Sequence, residues 1–172
     1  MLKLILNKKY NPLFSSDARY FIITGGRGSG KSFAVTVFLT LLTMTKGIRI
    51  LFTRYTMTSA HLSIIPEFLE KIGLLGFDDV FSINKAEVVN TSNQSDILFR
   101  GIRTSAGNQT ASLKSLQGIS TWVLDEAEEL VDENIFDTID LSIREKSIHN
   151  RVVLILNPVT KEHWIYKRFF ED

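Results

Sequence analysis

Short apolar runs alternate along this chain with segments of helical spacing. Residues 20–24 and 48–53 are mostly apolar, with many aromatic and β-branched side chains, which is typical of buried strands. Residues 31–46, between them, have apolar side chains at helical spacing and stop at Gly47, which predicts a helix. The pattern is therefore strand, helix, strand, the unit from which parallel sheets are built.

A helix and a hairpin are predicted next. Residues 59–72 have a helical pattern, in which Pro66 marks either a kink or a late helix start. Strand-like runs follow at residues 87–89 and 96–99. The residues between these two runs favour turns, so we expect a β-hairpin.

The rest of the chain repeats the alternation. Residues 100–118 are polar and predict a loop with at most a short helix. Residues 121–124 and 152–156 predict two more buried strands, the first leading into an acidic helix start, and residues 161–170 predict a closing helix. We therefore expect a single α/β domain over residues 1–172, with a mostly parallel central sheet, helices on both faces and a small β-hairpin insertion.

A complete phosphate-loop motif follows the first predicted strand and opens the first predicted helix. The matching residues of the pattern G-x-x-x-x-G-K-[ST] are Gly25, Gly26, Arg27, Gly28, Ser29, Gly30, Lys31 and Ser32. Glycines allow backbone N–H groups to surround phosphates, and the helix start adds a favourable dipole. Lys31 can reach the β- and γ-phosphates of ATP, and the Ser32 hydroxyl can bind Mg²⁺. The alternative is a glycine-rich turn that only joins a strand to a helix.

Two adjacent carboxylates, Asp125 and Glu126, follow the third predicted buried strand, residues 121–124. We expect Asp125 to hold Mg²⁺ through water. Glu126 should point to the other side of the pleat, where it could polarise the attacking water. Alternatively, both residues could simply stabilise the dipole of a helix start. Glu128 and Glu129 are expected on the solvated face of that helix.

Two further segments are candidates for nucleotide contact. Asn157 follows the fourth predicted buried strand, at the sheet edge where ligands bind in α/β folds, and could sense the γ-phosphate or the water. It could also belong to a plain Asn-Pro turn. Tyr10 and Phe14 lie just before the first strand, where an aromatic ring could cover the adenine or pack in the core.

The composition narrows the classes of function. The absence of cysteine excludes disulfides and thiolate metal sites and fits a reducing cytoplasm. A formal charge of +1 means that contacts with nucleic acid must come from local clusters of charge. No apolar stretch approaches the roughly 20 residues of a membrane span, and the start does not look like a signal peptide, so no membrane partner is expected.

These motifs together resemble the N-terminal ATPase domain of phage terminase large subunits. The resemblance runs from Asn11 to the C-terminus. The residues that carry it are 25–32, 53–54, 114–118, 122–129, 157–158 and 163–170. The phosphate loop is common to many P-loop enzymes, whereas its combination with Asn157-Pro158 and a tryptophan-containing tail is far more specific.

The resemblance implies a P-loop NTPase fold of the additional-strand type, with Glu126 as catalytic glutamate and with ATP and Mg²⁺ bound. It implies a motor in the host cytoplasm that couples ATP hydrolysis to translocation of double-stranded DNA into a procapsid. The implied partners are a portal protein, on which a homo-oligomeric ring assembles, and a terminase small subunit. Arg27 matches an arginine that such motors use to stabilise charge at the nucleotide of the same subunit. The nuclease domain of the family is expected to be absent from this chain.

Four other cations, Arg54, Arg100, Arg103 and Lys114, could contact DNA or the nucleotide of a neighbouring subunit. Lys114 is favoured for the second role. Each of the four could instead be a solvated surface cation. In similar proteins the segment before Lys114 often carries acidic residues, whereas residues 100–114 contain none.

Two other functions remain as hypotheses. A helicase-like, nucleic-acid-dependent ATPase is one, because Asp125-Glu126-Ala127 also fits that class, although no aromatic-rich platform for stacking bases is evident. A nucleotide-gated assembly module with little turnover is the other. The pair of carboxylates argues against such a module, because a switch has no need of a side chain that activates water.

Overall fold

One sheet lies at the centre of the computed structural model, which describes residues 4–57, 62–104 and 107–171. Its strands are β1 (Tyr20–Thr24), β2 (Arg49–Thr56), β3 (Phe81–Ile83), β4 (Glu87–Asn90), β5 (Asp96–Thr104), β6 (Gly107–Asn108), β7 (Thr121–Asp125) and β8 (Arg151–Leu156). Strands β1, β8, β7, β2 and β5 run parallel in that order. Strands β4 and β3 continue the sheet antiparallel, and β6 pairs with the end of β5.

Helices cover both faces of this sheet. They are α1 (Asn11–Ser15), α2 (Lys31–Leu42), α3 (Ile64–Leu74), α4 (Thr110–Lys114), α5 (Glu133–Asp140) and α6 (Trp164–Phe169). Alternate residues of each strand face opposite sides: Val123 of β7 packs in the cluster with α2 and α3, whereas its neighbours Trp122 and Leu124 pack with α5 and α6. The expected parallel α/β fold with two covered faces is confirmed.

The predicted strands around the sheet centre agree with the structure to within a few residues. The helices differ more at their ends, because α2 stops at Leu42 instead of Lys46. Helix α3 begins at Ile64, so Pro66 lies in its first turn, where a missing N–H costs nothing; the late start is confirmed and the kink is not needed. The predicted start at Ser59 lies outside the described residues.

The predicted β-hairpin is confirmed, and its second strand also belongs to the parallel part of the sheet. Strands β4 and β5 do pair antiparallel, yet β5 also pairs parallel with β2 along its length, from Arg49 opposite Asp96 to Thr56 opposite Arg103. The residues after Phe99 that were expected to form a loop therefore continue a strand of the main sheet. The charged residues and the glycine of this segment hide the apolar pattern of a strand. The segment forms a strand because it pairs with β2, which is distant in sequence and therefore leaves no local signal.

The acidic segment after β7 also differs from the prediction of an immediate helix. A single 3₁₀ turn, Ala127–Glu129, follows the strand. Helix α5 begins only at Glu133, where the side chain of Asp132 caps it by accepting a hydrogen bond from the backbone N–H of Asn134.

Two fully buried threonines on neighbouring strands allow a matched test of the core. Thr53 Oγ1 accepts a hydrogen bond from Trp122 Nε1 (2.9 Å) and donates one to the Val123 carbonyl (2.9 Å). Thr121 Oγ1 is buried without a hydrogen-bond partner among the described residues. Replacing Thr53 by valine should lower the free energy of unfolding by about 1–3 kcal/mol, because a buried indole N–H loses its acceptor.

The control is Thr121→Val, which removes a hydroxyl that makes no hydrogen bond and should leave stability unchanged or raise it. Urea denaturation of both variants measures the difference. Equal losses in the two variants would contradict the assigned role of Thr53.

Candidate active site

The carboxyl ends of the parallel strands meet at one edge of the sheet, where they surround a cavity of about 380 Å³. The phosphate loop lines it from Arg27 to Ser32. The other polar residues that line it are Arg54, Asp125, Glu126, Glu128 and Asn157. The structure therefore brings together the residues that the sequence placed at three separate strand ends.

The phosphate loop joins β1 to α2 in a conformation that depends on glycine. Gly28 and Gly30 have φ angles of +73° and +81°, in the left-handed region where a side chain is strained. A Cβ at Gly25 would lie 2.9 Å from Ser29 Oγ, so a side chain at this position would require Ser29 to shift. Since α2 begins at Lys31, directly after the loop, the positive end of its dipole adjoins the cavity. These features suit a bound phosphate.

The ammonium group of Lys31 is held inside the loop. It donates hydrogen bonds to the carbonyl oxygens of Gly25 and Gly26, the second at 3.0 Å. Its Nζ also lies 3.5 Å from Ser29 Oγ and 3.5 Å from Asn157 Oδ1. The charge therefore stands between the loop and the end of β8, where a phosphate in the cavity would meet it.

Residues before β1 support the loop from outside. Tyr10 donates a hydrogen bond from its hydroxyl to the Ser29 carbonyl (2.8 Å), and Lys9 Nζ donates to the same carbonyl (3.2 Å). This role of Lys9 was not foreseen. Phe14 does not line the cavity; its ring packs edge-on against Phe38 with centroids 5.2 Å apart. Its contact with adenine remains a prediction.

Asp125 and Glu126 face the same cavity, and the expectation that Glu126 points to the opposite side of the pleat is wrong. The strand ends at Asp125, and Glu126 takes a left-handed conformation with a φ of +53°. This turn swings its side chain back toward the cavity, and its N–H donates to Asp125 Oδ1 (3.0 Å). The pKa of Glu126 lies above its ordinary value because partial burial disfavours the charge, although Arg54 acts in the opposite direction.

Arg54 ends up inside the cavity, paired with the first of these carboxylates. Its Nε donates to Asp125 Oδ2 at 2.8 Å, and its Nη2 lies 2.7 Å from the same oxygen. Glu126 Oε2 is 3.9 Å from Nε. With a side chain only 20% exposed, Arg54 is not the solvated surface cation that was considered for it.

The other candidate cations form no ion pair with the carboxylates of the cavity among the described residues. Arg27 is exposed on the wall of the cavity and forms no ion pair with a described residue. Arg100 donates to the carbonyl oxygens of Phe99 (2.8 Å) and Ala86 (3.3 Å). Arg103 is exposed, and Lys114 lies at the end of α4 beside a different cavity. Contacts of these residues with DNA or a neighbouring subunit remain predictions.

Glu128 belongs to the site, and its expected place on a solvated face is wrong. Asn157 Nδ2 donates to Glu128 Oε1 at 2.6 Å, while Asn157 Oδ1 faces the Lys31 ammonium. A carboxylate on one side and an ammonium on the other leave the amide a single favourable orientation. The Glu128 carbonyl oxygen lies 3.1 Å from His163 Nε2, which links this cluster to the start of α6. Glu129 is exposed, as expected.

The oxygen ligands in the cavity fit Mg²⁺. Asp125 Oδ1 accepts a single hydrogen bond, so it can also accept one from a metal-bound water, and the Ser32 hydroxyl lies on the cavity wall. Within the described ranges no three His, Cys, Asp or Glu side chains come together as metal ligands. This donor set suits a hard cation that keeps waters and phosphate oxygens among its ligands, and it does not suit zinc.

Among the described residues, no helix is both long and apolar enough to cross a membrane.

Known proteins resemble this chain over nearly its whole length. A family model for the phage terminase large subunit matches residues 17–172. The large subunit of the terminase of Bacillus phage SPP1 is 24% identical over an alignment 194 positions long, which covers 98% of this chain and 43% of that protein. The chain therefore spans less than half the length of this relative.

Two solved structures share the fold. The large terminase of a thermophilic bacteriophage in complex with ADP has a TM-score of 0.72 and 12% identity, with coverage of 95% of this chain and 42% of that one. The bacteriophage Phi-29 viral genome packaging motor assembly has a TM-score of 0.67 and 16% identity, with coverage of 97% and 51%. Because the family model takes in all but the first 16 residues, the chain belongs to the phage terminase large subunit family.

Proposed function

We propose that this chain is the ATP-hydrolysing motor domain of a viral terminase large subunit, coupling ATP hydrolysis to translocation of double-stranded DNA into a procapsid. The observation that carries the proposal is the convergence of the phosphate loop, Asp125 and Glu126 on one cavity. The family match and the ADP complex of the thermophilic phage terminase support the nucleotide chemistry.

Each group at the cavity has a task in the hydrolysis of ATP. The loop N–H groups and Lys31 bind the β- and γ-phosphates, and Ser32 with Asp125 would hold Mg²⁺. When bound, this ion would offset negative charge on the phosphates. Glu126 accepts a proton from the water whose oxygen attacks the γ-phosphorus, while the bond from that phosphorus to the β-phosphate oxygen breaks. Arg27, on the exposed wall, stabilises charge that develops during this step.

Asn157 reports on the phosphate. Its amide oxygen faces Lys31 and its amide nitrogen donates a hydrogen bond to Glu128. A shift of the Lys31 ammonium toward a phosphate therefore weakens the contact on the oxygen and leaves the amide held by Glu128. Glu128 contacts His163 at the start of α6 through its backbone. The state of the nucleotide can therefore move the last helix of the domain.

The partners follow from the same proposal. Double-stranded DNA is the translocated substrate. The working assembly in the host cytoplasm is a homo-oligomeric ring on a portal protein, with a terminase small subunit as a further partner. The fold shared with the Phi-29 viral genome packaging motor assembly supports the proposal that the chain works in an assembled packaging motor. The net charge of +1 agrees with DNA contact through local cations rather than through the whole surface.

Two substitutions should separate binding from chemistry. Lys31→Ala removes a charged phosphate contact and should weaken ATP binding about tenfold or more. Glu126→Gln keeps the contacts of the ground state and should bind ATP normally, with turnover lowered by about 10²-fold or more. Isothermal titration gives the affinities, and phosphate release with and without duplex DNA gives the rates.

Lys46→Ala, which removes an exposed lysine outside the cavity, is the matched control and should behave as wild type. Equal loss of ATP binding in Lys31→Ala and Glu126→Gln would refute the division of roles. Stimulation by single-stranded DNA alone would favour a helicase-like ATPase. Tight binding without turnover in the assembled wild-type protein would favour an assembly module.

A neighbouring pair of glutamates tests the position of Asn157. Glu128→Gln allows the Asn157 amide to flip, because glutamine can offer either an oxygen or an NH₂ group to it. Turnover should fall about tenfold or more through misplacement, while ATP affinity changes little. Glu129→Gln, one residue away and exposed, should match wild type. If both variants have the same rate, Glu128 does not position Asn157.

A further inference from the structure

The ion pair between Arg54 and Asp125 uses the carboxylate that would face Mg²⁺. Both contacts of the guanidinium reach the same oxygen, Oδ2, at 2.8 and 2.7 Å. The other oxygen, Oδ1, accepts from the N–H of Glu126. The Nε contact is a hydrogen bond and the Nη2 contact is a close ion-pair distance, so Arg54 occupies Oδ2, whereas Oδ1 accepts one hydrogen bond and keeps a free lone pair.

The sheet itself fixes this pair. Arg54 of β2 and Asp125 of β7 are direct partners in the parallel register. The preceding residue, Thr53, is anchored to β7 by its hydrogen bonds with Trp122 and the Val123 carbonyl. The backbone of Arg54 therefore cannot retreat from Asp125, and only the end of its side chain is free to change partner.

A second partner is within reach. Glu126 Oε2 lies 3.9 Å from Arg54 Nε, and its side chain is 48% exposed, against 6% for Asp125. A small rotation of the guanidinium would exchange the buried carboxylate for the exposed one. Such an exchange would free Asp125 and would hold Glu126 at the same time.

We propose that Arg54 is a positioning residue that competes with Mg²⁺ for Asp125 and passes to Glu126 when Mg²⁺ and nucleotide bind. This inference rests on the proposed ATPase function and adds a regulation to the same site. In the protein without metal, Arg54 neutralises a buried carboxylate that would otherwise be costly. In the presence of Mg²⁺, two cations at one carboxylate repel each other, so Arg54 raises the Mg²⁺ concentration that the site needs.

The experiment compares Arg54→Met with Arg49→Met. Arg49 lies on the same strand and pairs with Asp96 (Nε to Oδ2, 3.2 Å), but it does not line the nucleotide cavity. Two quantities are measured for each variant: the Mg²⁺ concentration at half-maximal binding of a non-hydrolysable fluorescent ATP analogue, and the thermal midpoint with and without Mg²⁺ alone.

Arg54→Met should reach half-maximal binding at about tenfold less Mg²⁺, the effect that Coulomb's law gives for removal of one charge near a divalent cation in a high-dielectric site. Without Mg²⁺, the thermal midpoint of Arg54→Met should lie below that of wild type. On addition of Mg²⁺, the midpoint of the variant should rise by more than the midpoint of wild type rises. Arg49→Met should also lose stability, but its Mg²⁺ requirement should equal that of wild type. Its thermal midpoint should rise with Mg²⁺ no more than that of wild type.

An unchanged Mg²⁺ requirement in Arg54→Met would show a purely structural ion pair, and an increased requirement would show a direct contact with phosphate; either would overturn the proposal. Arg54→Lys keeps the charge and provides the test if the methionine variant does not fold. An ammonium group makes a weaker, single contact, so its Mg²⁺ requirement should lie below that of wild type, and a requirement equal to or above wild type would again overturn the proposal. Wild-type protein that binds no analogue at any Mg²⁺ concentration would refute the proposed function instead, while the Mg²⁺-dependent thermal shifts would still decide the role of Arg54.

Discussion

The parallel register of four strands is the constraint on which the site depends. Thr24 of β1 lies opposite Leu156 of β8, so the phosphate loop and Asn157 leave the sheet side by side. On the next strand, Asp125 lies opposite Ile155, and it lies opposite Arg54 on the strand beyond. Backbone hydrogen bonds along the strands, and the two apolar clusters that hold them, thus set where the phosphate loop, Arg54 and Asp125 meet at the cavity.

Local signals were sufficient for the parts of the site that the sequence predicted. The phosphate loop is one continuous segment, and its glycines have the conformations that its pattern requires. The predicted strand ends placed Asp125 and Asn157 at the edge of the sheet, because parallel strands share the direction of their carboxyl ends. These elements needed no knowledge of which strand lies beside which.

The features that were missed depend on partners distant in sequence or on a single dihedral angle. Arg54 could be placed beside Asp125 only by aligning the ends of two strands that are separated by more than 60 residues. Glu126 faces the cavity because one residue leaves the strand in the left-handed region, which a simple alternation cannot anticipate. The position of Glu128 at the cavity depends on the same turn, because Glu128 lies in the 3₁₀ segment that replaces the expected helix.

The site also shows how a cavity meant for phosphates can contain several carboxylates. Each acid that lines it has a compensating contact: Asp125 pairs with Arg54, Glu126 is half exposed beside the same guanidinium, and Glu128 Oε1 accepts a hydrogen bond from Asn157. Burial raises the free-energy cost of a charge without a partner, so a carboxylate that loses its contact needs a replacement partner at the same time. A ligand that adds cationic and anionic groups together, as Mg²⁺ with ATP does, can rearrange them with little change in total charge. The protein therefore has a physical reason to respond to the complex of metal and nucleotide rather than to either one by itself.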